Sequence, residues 1–254
     1  MIFKGKTVIV TGASRGIGEA TARHFAALGA HVVLAARDAE RIGAIVAELD
    51  AAGATACAWP TDVANLTQVK SLIDATLEET GRIDLLVNNA GLIDPIARLG
   101  ESDPEAWGWI VDVNLKGVYY GLRFAIPVMI AQGGGTIINI SSGAATSALE
   151  GWSHYCATKA AVLSLTRVAD REYRDQGIRV IGLSPGTVAT GMQEQIRASG
   201  INPVSQLDWS THIPADWVAQ SIEWLTTDAA DSHLGTDFSL KTKEGRQMVG
   251  LPVE

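Results

Sequence analysis

The sequence predicts an α/β domain, doubly wound, with a parallel seven-stranded sheet and helices on both faces, occupying residues 1–254 as a single unit. Short apolar, β-branched runs alternate with longer stretches of helical period along the whole chain, which is the pattern of a parallel sheet covered on both sides. The first apolar run leads at once into a glycine-rich turn and an Ala-rich helical pattern. No Pro-, Ser- or charge-rich linker and no repeat interrupts the alternation, and 47% hydrophobic residues in 254 are enough for one large core.

Thr7 to Val10 reads as the first strand and Gly18 to Leu28 as the helix behind it. The unit recurs as His31 to Ala35 and Ala39 to Ala52, then as Thr55 to Trp59 and Leu66 to Glu79. Ile83 to Val87, Thr136 to Ile140 and Ile178 to Leu183 supply three more strands, separated by long helical stretches near Pro104 to Ala131 and Ser153 to Asp175. The last strand falls within Thr236 to Thr242. Right-handed crossovers between such strands put the ligand crevice at their carboxyl ends.

A net charge of -8 without a basic cluster argues against nucleic acid and anionic membranes as partners. No run is long enough to span a membrane, and Met-Ile-Phe-Lys-Gly-Lys leads into the first strand without a signal-peptide pattern, so a cytoplasmic location is expected. Cys57 and Cys156 show no metal-ligand spacing; buried free thiols are expected, and no metal site.

Two local patterns carry chemistry. Thr11-Gly12-Ala13-Ser14-Arg15-Gly16-Ile17-Gly18 follows a strand and opens a helix, where glycines permit close backbone approach and the helix start attracts a diphosphate. Its G-x3-G-x-G spacing is a variant of the usual dinucleotide fingerprint, and a tight structural turn is the alternative reading. The second strand ends Ala35-Ala36-Arg37, where an NAD site would place an acid; Arg37 and Arg15 could both donate to a 2′-phosphate, which favours NADP(H) over NAD(H), with Asp38 the opposing sign. In the second pattern, Tyr155 and Lys159 stand four apart on one face of a helix, thirteen and seventeen residues after Ser142. A cation ~4 Å from a phenolate at an effective dielectric of ~20 stabilises it by roughly 4 kcal/mol, the scale needed to make a tyrosine a general acid/base near neutrality.

Together these residues resemble the short-chain dehydrogenase/reductase family, with a Rossmann-type nucleotide-binding fold. The resemblance runs through Thr11 to Gly18, Asp62-Val63, Asn88-Asn89-Ala90-Gly91, Asn114, Ser142, Tyr155 with Lys159, and Pro185-Gly186. It implies that Gly12, Ser14, Arg15, Gly16, Ile17, Gly18 and Arg37 contact the cofactor, with Asp62 and Val63 beside the adenine. It also implies that Asn89, Ala90 and Gly91 line the nucleotide channel. Pro185, Gly186, Val188 and Thr190 would hold the nicotinamide carboxamide. Taken singly, Asp62 also reads as a helix cap and Asn88-Asn89 as a turn. The resemblance further implies that Tyr155 donates the proton and Ser142 fixes the carbonyl. Lys159 lowers the Tyr155 pKa and holds the ribose, and Asn114 anchors a water leading to solvent.

The resemblance places a substrate-binding lid at about 190–213, and Ala144, Leu149, Trp152 and Met192 suggest an apolar pocket. His154 and His212 are assigned no role. Carrier-docking relatives have basic residues where this chain has Gln132-Gly133-Gly134 and Asp175-Gln176, although Arg171 and Arg174 lie nearby. The expected substrate is a small or free ketone, its secondary alcohol or a coenzyme A thioester. The alternative is a 3-oxoacyl group on acyl carrier protein, and a third reading is a catalytically silent cofactor sensor. Ile181 and the Thr236 to Thr242 end depart from the family pattern; a homotetramer is expected, with a dimer second.

Overall fold

A computed structural model describes residues 2–253. Its strands are β1 (Thr7–Thr11), β2 (His31–Ala36), β3 (Thr55–Pro60), β4 (Leu85–Asn88), β5 (Gly135–Ile140), β6 (Ile178–Ser184) and β7 (Asp237–Ser239). All pair in parallel in the order β3-β2-β1-β4-β5-β6-β7. The order reverses between β1 and β4, and that switch point opens a crevice at the strands' carboxyl ends. The helices are α1 (Gly16–Ala27), α2 (Ala39–Ala51), α3 (Leu66–Thr80), α4 (Pro104–Val111), α5 (Gly117–Ala131), α6 (Ser153–Tyr173), α7 (Gly191–Ser199), α8 (Ala215–Leu225) and α9 (Lys243–Val249).

Strand residues alternate between two core layers because successive side chains point to opposite faces. Val8, Val10, Val32, Leu34, Ile181 and Leu183 pack with Phe25, Ile42, Val218 and Ile222. Ile9, Val33, Leu86, Ile137 and Val180 pack on the other side with Leu72, Leu122, Met129 and Val162. Ile181 is therefore buried core where the family pattern has asparagine.

The long helical stretch at 104–131 is not continuous. A π-helical turn, Asp112–Lys116, divides α4 from α5. One extra residue in the i→i+4 ladder leaves no mark on hydrophobic period, so the sequence pattern reads as one helix. The turn places Asn114, fully buried, against the end of β4: Asn114 Nδ2 donates to the Leu92 carbonyl at 2.8 Å and Asn114 Oδ1 accepts from the Leu92 N–H at 2.8 Å.

Polar residues share one register row across the sheet: Asn88, Asn139, Gly182 and Asp237. Asn88 Nδ2 donates to Asn139 Oδ1 at 2.9 Å, and Asn139 Nδ2 donates to Thr166 Oγ1 of α6 at 2.9 Å, which ties that helix to the sheet. The Asp237 carboxylate occupies the space a Cβ at Gly182 would fill and accepts from Ser141 Oγ at 2.6 Å.

Candidate active site

The glycine turn is a cradle shaped by close backbone approach. Gly12 has φ +66°, and a Cβ there would stand 2.8 Å from Ala90 Cα. Asn89 Nδ2 donates to the Thr11 carbonyl at 2.8 Å, and Thr11 Oγ1 accepts from both Asn89 N–H and Ala90 N–H at 3.0 and 3.1 Å. The turn and the β4 loop are thus one hydrogen-bonded unit. Arg15 precedes α1 and supplies no side-chain cap, so this helix start faces the crevice with unpaired donors available to an anion. These features fit a bound diphosphate. Gly12→Ala is expected to destabilise the fold by about 2–5 kcal/mol, summing the left-handed backbone and the overpacking costs. The denaturant midpoint at unchanged slope measures it.

Arg37 is exposed at the end of β2, its guanidinium 5.9 Å from the Trp109 ring centroid. Asp38 is the N-cap of α2, its carboxylate accepting from the Arg41 N–H at 3.0 Å. Arg41, which sequence reasoning passed over, reaches back to the turn: its guanidinium holds Glu19 at 2.9 and 3.0 Å and donates to the Ser14 carbonyl at 3.4 Å. Only the chain's return through α1 and β2 brings it there.

Asp62 accepts from the Ala64 N–H at 3.0 Å, whereas Asn65 is the residue that caps α3. The helix-cap alternative for Asp62 therefore fails, because Asn65 stands at the helix boundary. Val63 is buried against Gly117, where a Cβ would lie 2.9 Å from Val63 Cγ2. Pro185 and Gly186 (φ +77°) turn the chain beyond β6, and Val188 is buried and bridges Ile213. Thr190 stands over the glycine turn, its Cγ2 3.1 Å from where a Gly16 Cβ would be.

On α6 the buried residues Tyr155, Lys159, Val162, Thr166 and Ala169 recur at helical period, so the tyrosine and lysine heads face inward. Trp107 Nε1 donates to Ser153 Oγ at 3.1 Å and His154 Nε2 donates to the Ile93 carbonyl at 2.7 Å, fixing the start of α6. His154 thus has a partner and a structural role; burial holds its pKa below the ordinary value. His212 is likewise partnered, stacked on Trp209 at 5.0 Å between ring centroids. Lys159 Nζ donates to the Ile140 carbonyl at 2.6 Å. A Cβ at Gly91 would sit 3.6 Å from Asn114 Oδ1 and 3.9 Å from Lys159 Nζ, so all three meet at one point of the crevice.

The electrostatics differ from the expected tuning. Burial pushes the Tyr155 phenol up to about 12, against the hydrogen bond from Ser142 that pulls it down. Burial lowers Lys159 to about 8, with Asp237 pulling the other way. Lys159 Nζ stands 5.5 Å from the Tyr155 ring centroid with a hydrogen bond on the Ile140 carbonyl, and burial dominates the shift of the phenol. The i,i+4 spacing shares a face but does not force the heads together.

Ala144, Trp152, Tyr155, Ile93 and Ile196 form one apolar cluster, with Leu149 and Met192 packed on it. The four sequence-predicted pocket residues therefore converge around the phenol. Ile93 and Ile196 complete the cluster, Ile93 from the β4 loop and Ile196 from α7. Trp152 Nε1 is buried there with no hydrogen-bond partner.

A crevice at the sheet's switch point, a glycine cradle and a Ser-Tyr-Lys-Asn grouping define a nicotinamide-dependent oxidoreductase class. The sequence profile described as short chain dehydrogenase matches residues 6–200, and the chain belongs to that family of NAD(P)-dependent enzymes acting on alcohol or ketone groups. It is 37% identical to a 3-oxoacyl-[acyl-carrier-protein] reductase of Synechocystis sp., covering 92% of this chain and 95% of that one. It is 31% identical to a cyclohexanol dehydrogenase of Acinetobacter sp., covering 93% of each. The crystal structure of levodione reductase matches with a TM-score of 0.86 at 27% identity, over 98% of this chain and 99% of that one.

Proposed function

We propose that the protein is an NADP(H)-dependent reductase of a small ketone, working reversibly on the secondary alcohol, with Tyr155 as general acid/base. The carrying observation is the convergence of the Tyr155 phenol and Ser142 with an apolar side-chain cluster on one side and the Asn114–Gly91–Lys159 junction on the other. The nicotinamide supplies the hydride when bound. Negative charge grows on the carbonyl oxygen as it is reduced, and Tyr155 and Ser142 are the donors positioned to meet it. A phenol at about 12 is protonated at neutral pH, the form that donates to the carbonyl oxygen in the reduction step. Lys159, with its ammonium beside Gly91, would hold the ribose hydroxyls, and Gly12, Ser14, Gly16, Ile17 and Gly18 would hold the diphosphate.

Arg37 is free to donate to a 2′-phosphate, whereas the Asp38 carboxylate is turned to its own helix; this supports NADP(H) over NAD(H). Arg37→Ala is expected to weaken NADPH binding about 10- to 100-fold and leave NADH binding nearly unchanged. Equal affinity of the wild type for the two cofactors, read by fluorescence titration, would sink this assignment.

An acyl carrier substrate, as in the name of the Synechocystis relative, is the second reading. Against it, the position before β5 holds the uncharged Gln132, bonded to the Ile83 backbone at 3.0 and 2.6 Å, and Arg174 is paired with Asp170 at 2.9 Å, so Arg171 is the exposed cation left at the end of α6 for an acidic carrier. The free Trp152 N–H would be satisfied by an oxygen on a compact substrate. A turnover screen of ketones, alcohols, coenzyme A thioesters and carrier thioesters with both cofactors separates the readings. A homotetramer remains our proposed assembly, supported by Tyr119 of α5 and Val168 of α6, both nearly half exposed.

A further inference from the structure

His31, Cys57 and Glu79 lie far apart in sequence and far from the crevice, and the fold brings their ligand atoms within 4.8 Å of one another. His31 opens β2, and its side chain leaves the sheet on the same face as Val33. Cys57 is on the neighbouring strand, two residues beyond Thr55, the register partner of His31. Glu79 comes from the last turn of α3, which packs on that face. His31 Nε2 is buried with no hydrogen-bond partner, and the nearest charged oxygen is Glu79 Oε1 at 3.4 Å.

That separation is informative. Nitrogen and oxygen ligands about 2.0–2.1 Å from a tetrahedral ion stand about 3.3–3.4 Å apart. The imidazole and carboxylate are therefore already at the spacing a shared ion imposes, and too far apart for a good hydrogen bond. We propose that His31, Cys57 and Glu79 form a binding site for a divalent cation of the zinc type, with water completing the tetrahedron. A thiolate and an imidazole select such an ion over magnesium or calcium, which prefer all-oxygen shells. Thiolate and carboxylate charges together neutralise it.

Binding requires the thiol proton to leave for solvent, since the thiolate is the ligand. In the free protein burial and Glu79 hold that thiol up at about 12, so it is neutral until a cation replaces its proton. The site lies at the amino ends of β2 and β3, opposite the proposed catalytic crevice, so it would act on the stability of the β2–β3 edge and does not depend on the proposed reaction.

Titration of chelator-treated full-length protein with Co2+ tests the proposal. One equivalent is expected to produce a saturable thiolate-to-metal charge-transfer band that Zn2+ displaces. Cys57→Ser should abolish the band and Cys156→Ser should keep it. His31→Gln and Glu79→Gln should each weaken Co2+ binding at least about tenfold. Ketone turnover should stay unchanged in the Cys57, His31 and Glu79 variants. Because Glu79 is exposed, Glu79→Gln folds and remains decisive even if the Cys57 variant does not. Absence of a stoichiometric band in the wild type, its survival in Cys57→Ser, or unaltered affinity in either His31→Gln or Glu79→Gln would overturn the site.

Discussion

Tyr155→Phe is expected to lower ketone reduction by about 10²–10⁴-fold, the range a positioned general acid supplies. The substitution keeps the ring that packs edge-on against Trp152 at 5.7 Å, so pocket shape and fold survive. What disappears is the one phenolic proton facing the growing oxyanion, together with the hydrogen bond to Ser142. The loss should fall on kcat, since the interaction is made chiefly in the transition state. NADPH affinity should hold. Steady-state kinetics beside a cofactor titration measures both, and near-normal kcat with intact binding would assign the proton to another group.

Lys159→Met is expected to reduce turnover severely and also to change how stability depends on pH. Lys159 has its pKa lowered from the ordinary 10.5 to about 8 by burial. Between those values the unfolded chain still holds a proton that the folded chain has released, so stability rises with pH across the window. Below about 8 both states are protonated and the dependence vanishes. Wild type should therefore gain on the variant by about 3 kcal/mol in passing through the window, at about 1.4 kcal/mol per pH unit. Cys57 and Tyr155 have raised pKa values and contribute the opposite slope from about 9 and about 10 upward, but they do so in both proteins and cancel in the difference. Near neutrality the variant loses a donor to the Ile140 carbonyl, costing about 1–3 kcal/mol, and sheds a disfavoured buried charge of similar size; the two nearly offset. Urea midpoints for the pair at about pH 7 and about pH 10 give the difference directly. A constant difference would mean that the ammonium does not feel this burial.

Most of the strand and helix order was readable because its signals are local. β2 and α2 were placed within a residue, since apolar alternation and helical period need no knowledge of the rest of the chain. β4 was placed two residues early: Ile83 is buried but precedes the ladder, so apolar character overstated the strand's start. The site motifs were legible for a related reason. Glycine spacing at Gly12 to Gly18 and the Tyr155–Lys159 pair are each carried by one turn or one helix.

Partnerships across the fold were not legible. Asn114 was singled out, but its grip on Leu92 depends on a π turn that no periodicity records. His154 carries no role legible in the sequence because its partner Ile93, sixty-one residues earlier, reaches it only where α6 docks on the β4 loop. Arg41 reaches Ser14 and Glu19 by the same kind of return.

By itself the amino-acid sequence determined the class of fold, the order of its elements and the residues that carry the proposed chemistry, because period, turn chemistry and motif spacing act over a few residues. Only the tertiary structure decided how those residues are charged and whom they touch. Burial, set by packing of distant segments, holds Tyr155 near 12 and Lys159 near 8, where helical spacing alone suggested a phenol drawn toward neutrality. The same packing joins His31, Cys57 and Glu79, whose spacing along the chain shows no site.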